Sequence, residues 1–150
     1  MVMQRILWPT DFSKNASRAL PYVTSLTEKY QTEVHVIYVI DDLGHQEDPW
    51  YGELDKSHMG KIHAWEKKKA EERLNDICEN HLKGCPLYIK HIAVGDPARE
   101  ILKLIDKEKV DVVVMATHGR KGDFGFGSVA EKVVKNSPVP VVTIPIPPNG

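Results

Sequence analysis

A glycine-rich segment between an apolar run and an amphipathic run is the part of the sequence best suited to bind a ligand. Residues 110–115 are mostly β-branched, which is typical of a strand buried on both faces. Glycines follow between Gly119 and Gly127, and Ser128 opens a segment with the apolar spacing of a helix. Glycine lets loop amides turn inward, and a helix start adds unpaired N–H groups with a partial positive charge. The pattern therefore predicts an anion or phosphate site.

Two widespread phosphate-binding motifs do not account for this segment. Residues 122–128 have the glycine spacing of a P-loop, but no lysine precedes Ser128. Residues 125–130 match G-x-G-x-x-A, the dinucleotide fingerprint, which belongs after the first strand and needs an acidic residue about 20 positions later. Here it follows the fourth predicted strand, and the next strand holds no carboxylate. The sequence thus disfavours a P-loop and excludes an NAD site of the usual kind.

Several polar residues also have simple structural interpretations. Asp11 could cap the first helix together with Ser13, and Ser128 could be an N-cap, a role compatible with anion binding. Arg120 and Lys121 could be solvated loop residues or could face a phosphate. Both interpretations stay open at this point.

The histidines do not predict catalysis. His118 has no serine or cysteine nucleophile paired with it in the sequence pattern, so we expect it to stabilise a turn. His58 and His63, with Asp55 nearby, suggest a metal site, but their five-residue offset suits one helix face poorly. We expect no catalytic residue and no protein-ligated metal.

Composition limits the class of protein. The chain has 150 residues, which fits a single domain over residues 1–150, and a net charge of −1 from 20 basic and 21 acidic residues. That balance argues against a general nucleic-acid or membrane-surface binder. The sequence shows no apolar run of transmembrane length, no signal-peptide pattern at its start, and two cysteines without zinc or redox spacing. We expect a cytoplasmic location.

Strand and helix patterns alternate along the chain and predict an α/β fold with a core over about residues 4–146. Predicted strands cover residues 5–9, 33–39, 87–94, 110–115 and 139–144. Predicted helices run from Ser13 to about Tyr30, over 61–83, from the Asp96 N-cap through Lys107, and over 129–135. Pro21 must either kink the first of these helices or lie near its first turns. Residues 40–60 form a predicted long loop.

Right-handed crossovers place helices on both faces of such a sheet and make it doubly wound and mostly parallel. Ligands then bind beyond the carboxyl ends of the strands, where the strand order reverses. If the order is 3-2-1-4-5, that point lies between the first and fourth strands. Asp11 and the glycine-rich loop would face each other there.

Six short motifs, in order along the chain, resemble those of universal stress protein domains. They are Pro-Thr-Asp-Phe-Ser at 9–13, Tyr-Val-Ile-Asp at 38–41, Val-Gly-Asp-Pro at 94–97, Met-Ala-Thr-His-Gly at 115–119, Gly-Ser-Val-Ala-Glu-Lys-Val at 127–133 and Pro-Val-Pro-Val-Val at 138–142. The similarity runs from about residue 5 to residue 144. It implies a Rossmann-like, five-stranded parallel sheet of order 3-2-1-4-5, of the adenine-nucleotide alpha-hydrolase-like type, and usually a dimer.

The resemblance also implies an ATP site in the subgroup with the pattern G-x2-G-x9-G-[S/T]. Ala116 takes the first glycine position, Gly119 the second, and Gly127-Ser128 the last pair. Seven residues separate Gly119 from Gly127, two fewer than the pattern has. The chain therefore departs from the pattern at Ala116 and in a shortened loop.

Carried over to this sequence, the resemblance implies a role for each part of the site. The Asp11 carboxylate would bind the adenosine, and the Val39 backbone would bind the adenine edge. The ribose and first phosphates would lie against Ala116 and Gly119. The remaining predicted contacts are the outer-phosphate group Gly127, Ser128 and Val129, the basic pair Arg120 and Lys121, and the flanking residues Pro9, Thr10, Met115 and His118. The ligand would be ATP, ADP or AMP, with Mg²⁺ held mainly through the phosphates.

Two functions follow from the resemblance. The first is a dimeric stress-response module regulated by an adenine nucleotide, with at most slow ATP hydrolysis; Asp11, Gly119, Gly127 and Ser128 favour it. The second is a non-nucleotide member that acts only through protein contacts, which the short loop favours. Either would dimerise through the apolar last strand, between Val139 and Ile144, and would bind a protein partner that the sequence does not identify.

Overall fold

The computed structural model describes residues 2–41, 56–82, 87–118 and 127–146. It contains a sheet of five parallel strands: β1 (Arg5–Pro9), β2 (Glu33–Asp41), β3 (Leu87–Gly95), β4 (Val112–Ala116) and β5 (Val141–Ile144). The strand order is β3-β2-β1-β4-β5. The predicted fold class and strand order are confirmed, and the order reverses between β1 and β4.

Helices cover both faces of the sheet, and alternate strand residues pack against opposite helix layers. The helices are α1 (Lys14–Ser17), α2 (Leu20–Tyr30), α3 (Lys56–His81), α4 (Pro97–Lys107) and α5 (Ser128–Asn136). Ile6 and Trp8 of β1 pack with Leu20, Leu74 and other residues of α2 and α3. Leu7, between them, packs on the opposite face with residues of α4 and α5.

The segment predicted as one helix from Ser13 to Tyr30 is two helices. Ser13 is the N-cap of α1, and its Oγ accepts the Ala16 N–H at 3.1 Å. Pro21 lies in the first turn of α2, where its missing N–H costs no helical hydrogen bond. The break places α1 beside the end of β1.

Other boundaries differ from the prediction for local reasons. β4 begins at Val112 because the Val110 N–H donates to the Ile105 carbonyl at the end of α4. The fifth strand begins at Val141, since Val139 is bonded through its N–H and carbonyl to the Ser137 hydroxyl. The predicted loop 40–60 is also too long: β2 extends to residue 41 and α3 begins at residue 56, and residues 42–55 lie outside the described ranges.

Asp96 and Pro97 begin α4 as predicted. The Asp96 carboxylate accepts the Arg99 N–H at 3.0 Å, and Pro97 is the first helical residue. Within the described ranges, no helix is long and apolar enough to cross a membrane.

Candidate functional site

Pairing between β1 and β4 stops early and leaves a gap at the carboxyl edge of the sheet. The last β1–β4 pair is Leu7 with Val113, whereas β1 stays paired with β2 as far as Pro9 with Ile37. In this register, the next bond would run from residue 9 to the Val114 carbonyl. Pro9 has no N–H, so it cannot donate that bond. The proline therefore explains why the two central strands separate at the predicted ligand position.

The β2 side of this gap presents backbone groups of Val39. Thr10 donates its N–H to the Ile37 carbonyl at 2.9 Å, which shows that Ile37 directs its polar backbone groups toward β1. Successive residues of a parallel strand direct these groups to opposite neighbours, so Val39 directs its N–H and carbonyl to the same side as Ile37. The pairing between β1 and β2 ends at Ile37, before Val39. The Val39 N–H and carbonyl therefore face the gap as one donor and one acceptor.

The β4 side presents backbone groups of Ala116. Thr117 donates its N–H to the Ile144 carbonyl at 3.1 Å, so Thr117 faces β5. By the same alternation, Val114 and Ala116 direct their polar backbone groups toward β1 and the gap. Two strands thus line the gap with peptide groups, the kind of surface that recognises a ligand with both donors and acceptors.

The turn after β1 is held by two side-chain hydrogen bonds. Thr10 Oγ1 accepts the Phe12 N–H at 3.0 Å, and Asp11 Oδ1 accepts the Ser13 N–H at 2.9 Å. Asp11 therefore supports the chain just before the helix, while Ser13 is the cap itself. These bonds fix the Asp11 carboxylate at the carboxyl end of β1, beside the gap.

Phe12 adopts an unusual backbone conformation in this turn. Its φ of 65° lies in the left-handed region, which is uncommon for a residue other than glycine, asparagine or aspartate. The ring is held by Tyr38, with centroids 4.5 Å apart, and by the Arg73 guanidinium 5.4 Å from its centroid. Packing thus offsets the local strain and gives the turn a defined shape.

The first turn of α5 forms the other end of the site. Gly127, not Ser128, is the N-cap, and no side chain caps this helix. Ser128 is the first helical residue and is exposed; Val129 follows and is partly buried. The first N–H groups of a helix have no intrahelical acceptor, so those of Ser128 and Val129 are the natural donors to an anion here.

The amide of Gly127, a residue predicted to contact the outer phosphates, already has a backbone acceptor. The Gly127 N–H donates to the Thr117 carbonyl at 2.8 Å and so is not available to a phosphate. This bond brings together the two ends of the glycine-rich segment. Gly127 therefore positions the start of α5 and does not itself offer an N–H to a ligand.

Thr117 was not among the predicted site residues, although it connects three parts of the site. It is buried, and in addition to its backbone bonds its Oγ1 lies 2.6 Å from His118 Nδ1 and 3.5 Å from the Ile144 carbonyl oxygen. His118 Nε2 is buried and has no hydrogen-bond partner within the described ranges. The position of Thr117 directly after a buried strand was the available signal.

The predicted site residues are only partly brought together. Pro9, Thr10, Asp11, Val39, Ala116, His118, Ser128 and Val129 lie at the carboxyl ends of β1, β2 and β4 or at the start of α5. Met115 does not line the gap: its side chain is buried in the core against α4 and α5, and its backbone faces β5. Because strand residues alternate, the backbone of Ala116 faces the gap and that of the adjacent Met115 does not. Gly119, Arg120 and Lys121 lie outside the described ranges.

The metal alternative gains no support from the part of the chain that the structure describes. No group of three or more His, Cys, Asp or Glu side chains is placed there to hold a metal ion. Asp55 and the side chain of His58 lie outside that part. Cys78 is buried in the core with α3 and β1 residues rather than at this edge.

Comparison with known proteins places this geometry in one family. The sequence model of the universal stress protein family matches residues 3–145. Universal stress protein MJ0577 of Methanocaldococcus jannaschii is 30% identical over an alignment of 155 positions that covers 96% of each chain. The solved structure of MJ0577 superimposes with a TM-score of 0.85 at 27% identity, covering 98% of this chain and 99% of that one.

Two more distant structures share the fold and hold adenine nucleotides. A universal stress protein in complex with cAMP has a TM-score of 0.65 at 18% identity, covering 96% of this chain and 98% of that one. The universal stress protein from Archaeoglobus fulgidus in complex with dAMP has a TM-score of 0.65 at 20% identity, covering 96% and 99%. These bound nucleotides were observed in those two proteins.

Proposed function

The chain belongs to the universal stress protein family, and we propose that it is a regulatory module that binds an adenine nucleotide in the gap between β1 and β4. ATP would occupy the whole of this site, from the base to the outer phosphates. One observation carries the proposal. At the point where the strand order reverses, Pro9 ends the β1–β4 ladder, and the gap opens toward the uncapped start of α5.

The gap offers the groups that an adenine base requires. An adenine edge combines a ring nitrogen acceptor with an amino donor, and the Val39 N–H and carbonyl would pair with both. The Asp11 carboxylate, held in place through the Ser13 N–H, would accept hydrogen bonds from the ribose hydroxyls. Ala116 would contact the sugar through its backbone, since its methyl group is small enough to leave room beside the strand.

The phosphates would bind at the start of α5. The amides of Ser128 and Val129 and the exposed Ser128 hydroxyl are the donors there, and the helix dipole adds a partial positive charge. Arg120 and Lys121 would add positive charge from the adjoining segment. Mg²⁺ would enter with the nucleotide, held mainly by phosphate oxygens.

We propose a binding module rather than an enzyme. The described residues of the gap offer backbone groups, one carboxylate and hydroxyls, and the Asp11 carboxylate is engaged in the turn. Hydrolysis needs a base placed beside the terminal phosphate, and the start of α5 supplies donors instead. The expected ATP turnover is slow, well below the rates of ordinary enzymes.

The second candidate acts only through protein contacts. β5 is an edge strand of the sheet, and Val142 on it is 40% exposed. Pairing of two β5 strands across a twofold axis would cover that edge and form a homodimer. This interface is compatible with either function, so dimerisation alone does not favour one of them.

Calorimetric titration of the purified protein with Mg-ATP and, in parallel, with Mg-GTP tests the proposal. Both ligands carry the same triphosphate, so the difference between them reports on the base. We expect ATP to bind and GTP to bind at least tenfold more weakly, because guanine presents the reversed donor and acceptor pattern to Val39. Equal affinities would contradict adenine recognition, and no binding of either would favour the protein-contact function.

A further inference from the structure

A chain of three hydrogen-bonded side chains runs from the first residue of β2 to the middle of β3, outside the proposed nucleotide site. His35 Nε2 lies 2.6 Å from Glu33 Oε1, and His35 Nδ1 lies 2.8 Å from His91 Nε2. His35 is fully buried, and the two imidazole rings meet edge to edge, with centroids 5.1 Å apart and planes 15° apart. The chain links β2 to β3, which is an edge strand.

When Glu33 is ionised and both rings are neutral, the donors and acceptors that remain fix the direction of both hydrogen bonds. A carboxylate only accepts, so His35 Nε2 carries the hydrogen and His35 Nδ1 has a lone pair. His91 Nε2 must then donate to that lone pair. With both rings neutral, each hydrogen bond has one donor and one acceptor, and His91 keeps an accepting Nδ1.

The same geometry accommodates one added proton but not two. If His91 gains a proton at Nδ1, its Nε2–H still donates to His35. If His35 becomes the imidazolium, its Nδ1–H donates to a His91 ring that has changed tautomer. With both rings protonated, two N–H groups would face each other across 2.8 Å, and two positive charges would lie in a largely buried position.

Charged groups on neighbouring elements surround this chain. Arg5 Nε on β1 lies 3.7 Å from Glu33 Oε1. Burial and then the neighbouring His35 lower the pKa of His91; Glu108, after α4, opposes that shift, and Lys107 adds to it. The positive neighbours thus act against a second proton.

We propose that the Glu33–His35–His91 chain is an acid-sensitive latch that holds the edge strand β3 on β2. The latch is closed while the two rings share at most one added proton. A second proton breaks the bond between the rings and loosens β3. The latch runs from the amino end of β2 to the middle of β3 and contains none of the residues of the proposed nucleotide site.

The direction of the pH effect follows from the lowered pKa of His91. In the unfolded or locally opened chain, this histidine titrates near its ordinary value of 6.5, and in the folded chain it titrates lower. The open form can hold a proton on each ring, whereas the closed form holds at most one, so the open form binds more protons and stability falls as pH falls. The latch contributes fully above about pH 6.5 and loses strength below it, down to the lowered pKa of the folded form.

Hydrogen–deuterium exchange of β3 amides at about pH 7.5 and about pH 5, corrected for the intrinsic exchange rate, tests the latch. One extra proton in the open form raises its population by up to about tenfold per pH unit below the ordinary pKa. We therefore expect more opening of β3 in the wild type at the lower pH, by no more than about tenfold per pH unit below that pKa. His91→Gln should abolish the rise, because the glutamine amide keeps a donor near the Nε2 position and does not titrate.

His81→Gln is the matched control, since His81 is exposed at the end of α3 and should leave the wild-type pH response unchanged. Opening of β3 that does not change with pH, or that rises equally in His91→Gln, would overturn the proposal. Nitrogen NMR of the imidazoles at neutral pH provides an independent test, because both histidines must be Nε2–H tautomers. An Nδ1–H tautomer at His35 would contradict the hydrogen-bond chain.

Discussion

The Gly127 N–H donates to the Thr117 carbonyl at 2.8 Å, so the two ends of the glycine-rich segment are joined by a backbone hydrogen bond. Thr117 is itself bonded to Ile144 at the end of β5, and Gly127 is the N-cap of α5. The segment therefore begins and ends on one rigid junction. The bond holds the start of α5 at the carboxyl end of β4, and residues 119–126 lie outside the described ranges.

Two serines at helix starts should respond oppositely to alanine substitution. Ser13 caps α1 through the Ala16 N–H, so Ser13→Ala should lower the free energy of unfolding by about 1 kcal/mol. Ser128 is not a cap, so Ser128→Ala should leave stability unchanged and weaken Mg-ATP binding by roughly tenfold through loss of a hydroxyl bond to a charged group. Urea unfolding and calorimetric titration measure the two effects. A large stability loss in Ser128→Ala would contradict the assignment of Gly127 as the cap.

Asp111 should be important for stability but not for ligand binding. Its Oδ2 accepts the N–H groups of Gln4 and Arg5 at 2.8 and 2.9 Å, at the amino ends of β1 and β4. Asp111→Ala leaves both donors without that acceptor and should cost about 1–3 kcal/mol in urea unfolding. Asp111→Asn keeps an oxygen acceptor and should cost less. An unchanged midpoint in Asp111→Ala would show that water replaces the carboxylate fully.

Pro9→Val should restore the donor that the β1–β4 ladder lacks. The new N–H can pair with the Val114 carbonyl and draw the strands together, which should narrow the gap and weaken Mg-ATP binding. The gained hydrogen bond, about 1 kcal/mol, and the added flexibility of the unfolded chain, about 0.4–1 kcal/mol, should nearly cancel in stability. Calorimetric titration together with amide exchange at residue 9 checks both parts. A protected amide with unchanged affinity would mean that the ligand does not use this gap.

The dimer prediction concerns the exposed edge of the sheet. Val142→Lys places a charge on β5 and should convert a dimer into a species with the 17.0 kDa mass of one chain, as measured by light scattering. Tyr22→Lys is the control, because Tyr22 is similarly exposed, at 52%, but lies on α2. A wild-type mass of one chain, or a dimer that survives Val142→Lys, would rule out this interface.

Local signals predicted the parts of the fold that depend on adjacent residues. Asp96 and Pro97 begin α4 because an aspartate cap followed by proline specifies a helix start within a few residues. The strand order came from the family resemblance and is confirmed. The position of Asp11 at the carboxyl end of β1 was predicted both from the local strand pattern and from the family resemblance.

Features set by distant contacts could not be predicted. Ser128 has the residue type of a cap, yet Gly127 occupies that position, and its N–H is bonded to Thr117, ten residues earlier in the chain. Met115 was included because it belongs to a motif, whereas the phase of strand alternation excludes it. That phase depends on the register between β4 and its neighbours, which the sequence does not specify. The bond between His35 and His91 likewise arises only once β2 and β3 pair.

The most direct test of nucleotide binding is titration of Mg-ATP into the Gly127→Asp and Gly127→Asn variants. The two side chains have nearly the same shape and are both good N-caps, so they differ chiefly by one negative charge at the start of α5. We predict that the asparagine variant binds Mg-ATP within a few-fold of the wild type and that the aspartate variant loses at least tenfold in affinity through repulsion of the phosphates. Equal affinities in the two variants would contradict a phosphate at the start of α5.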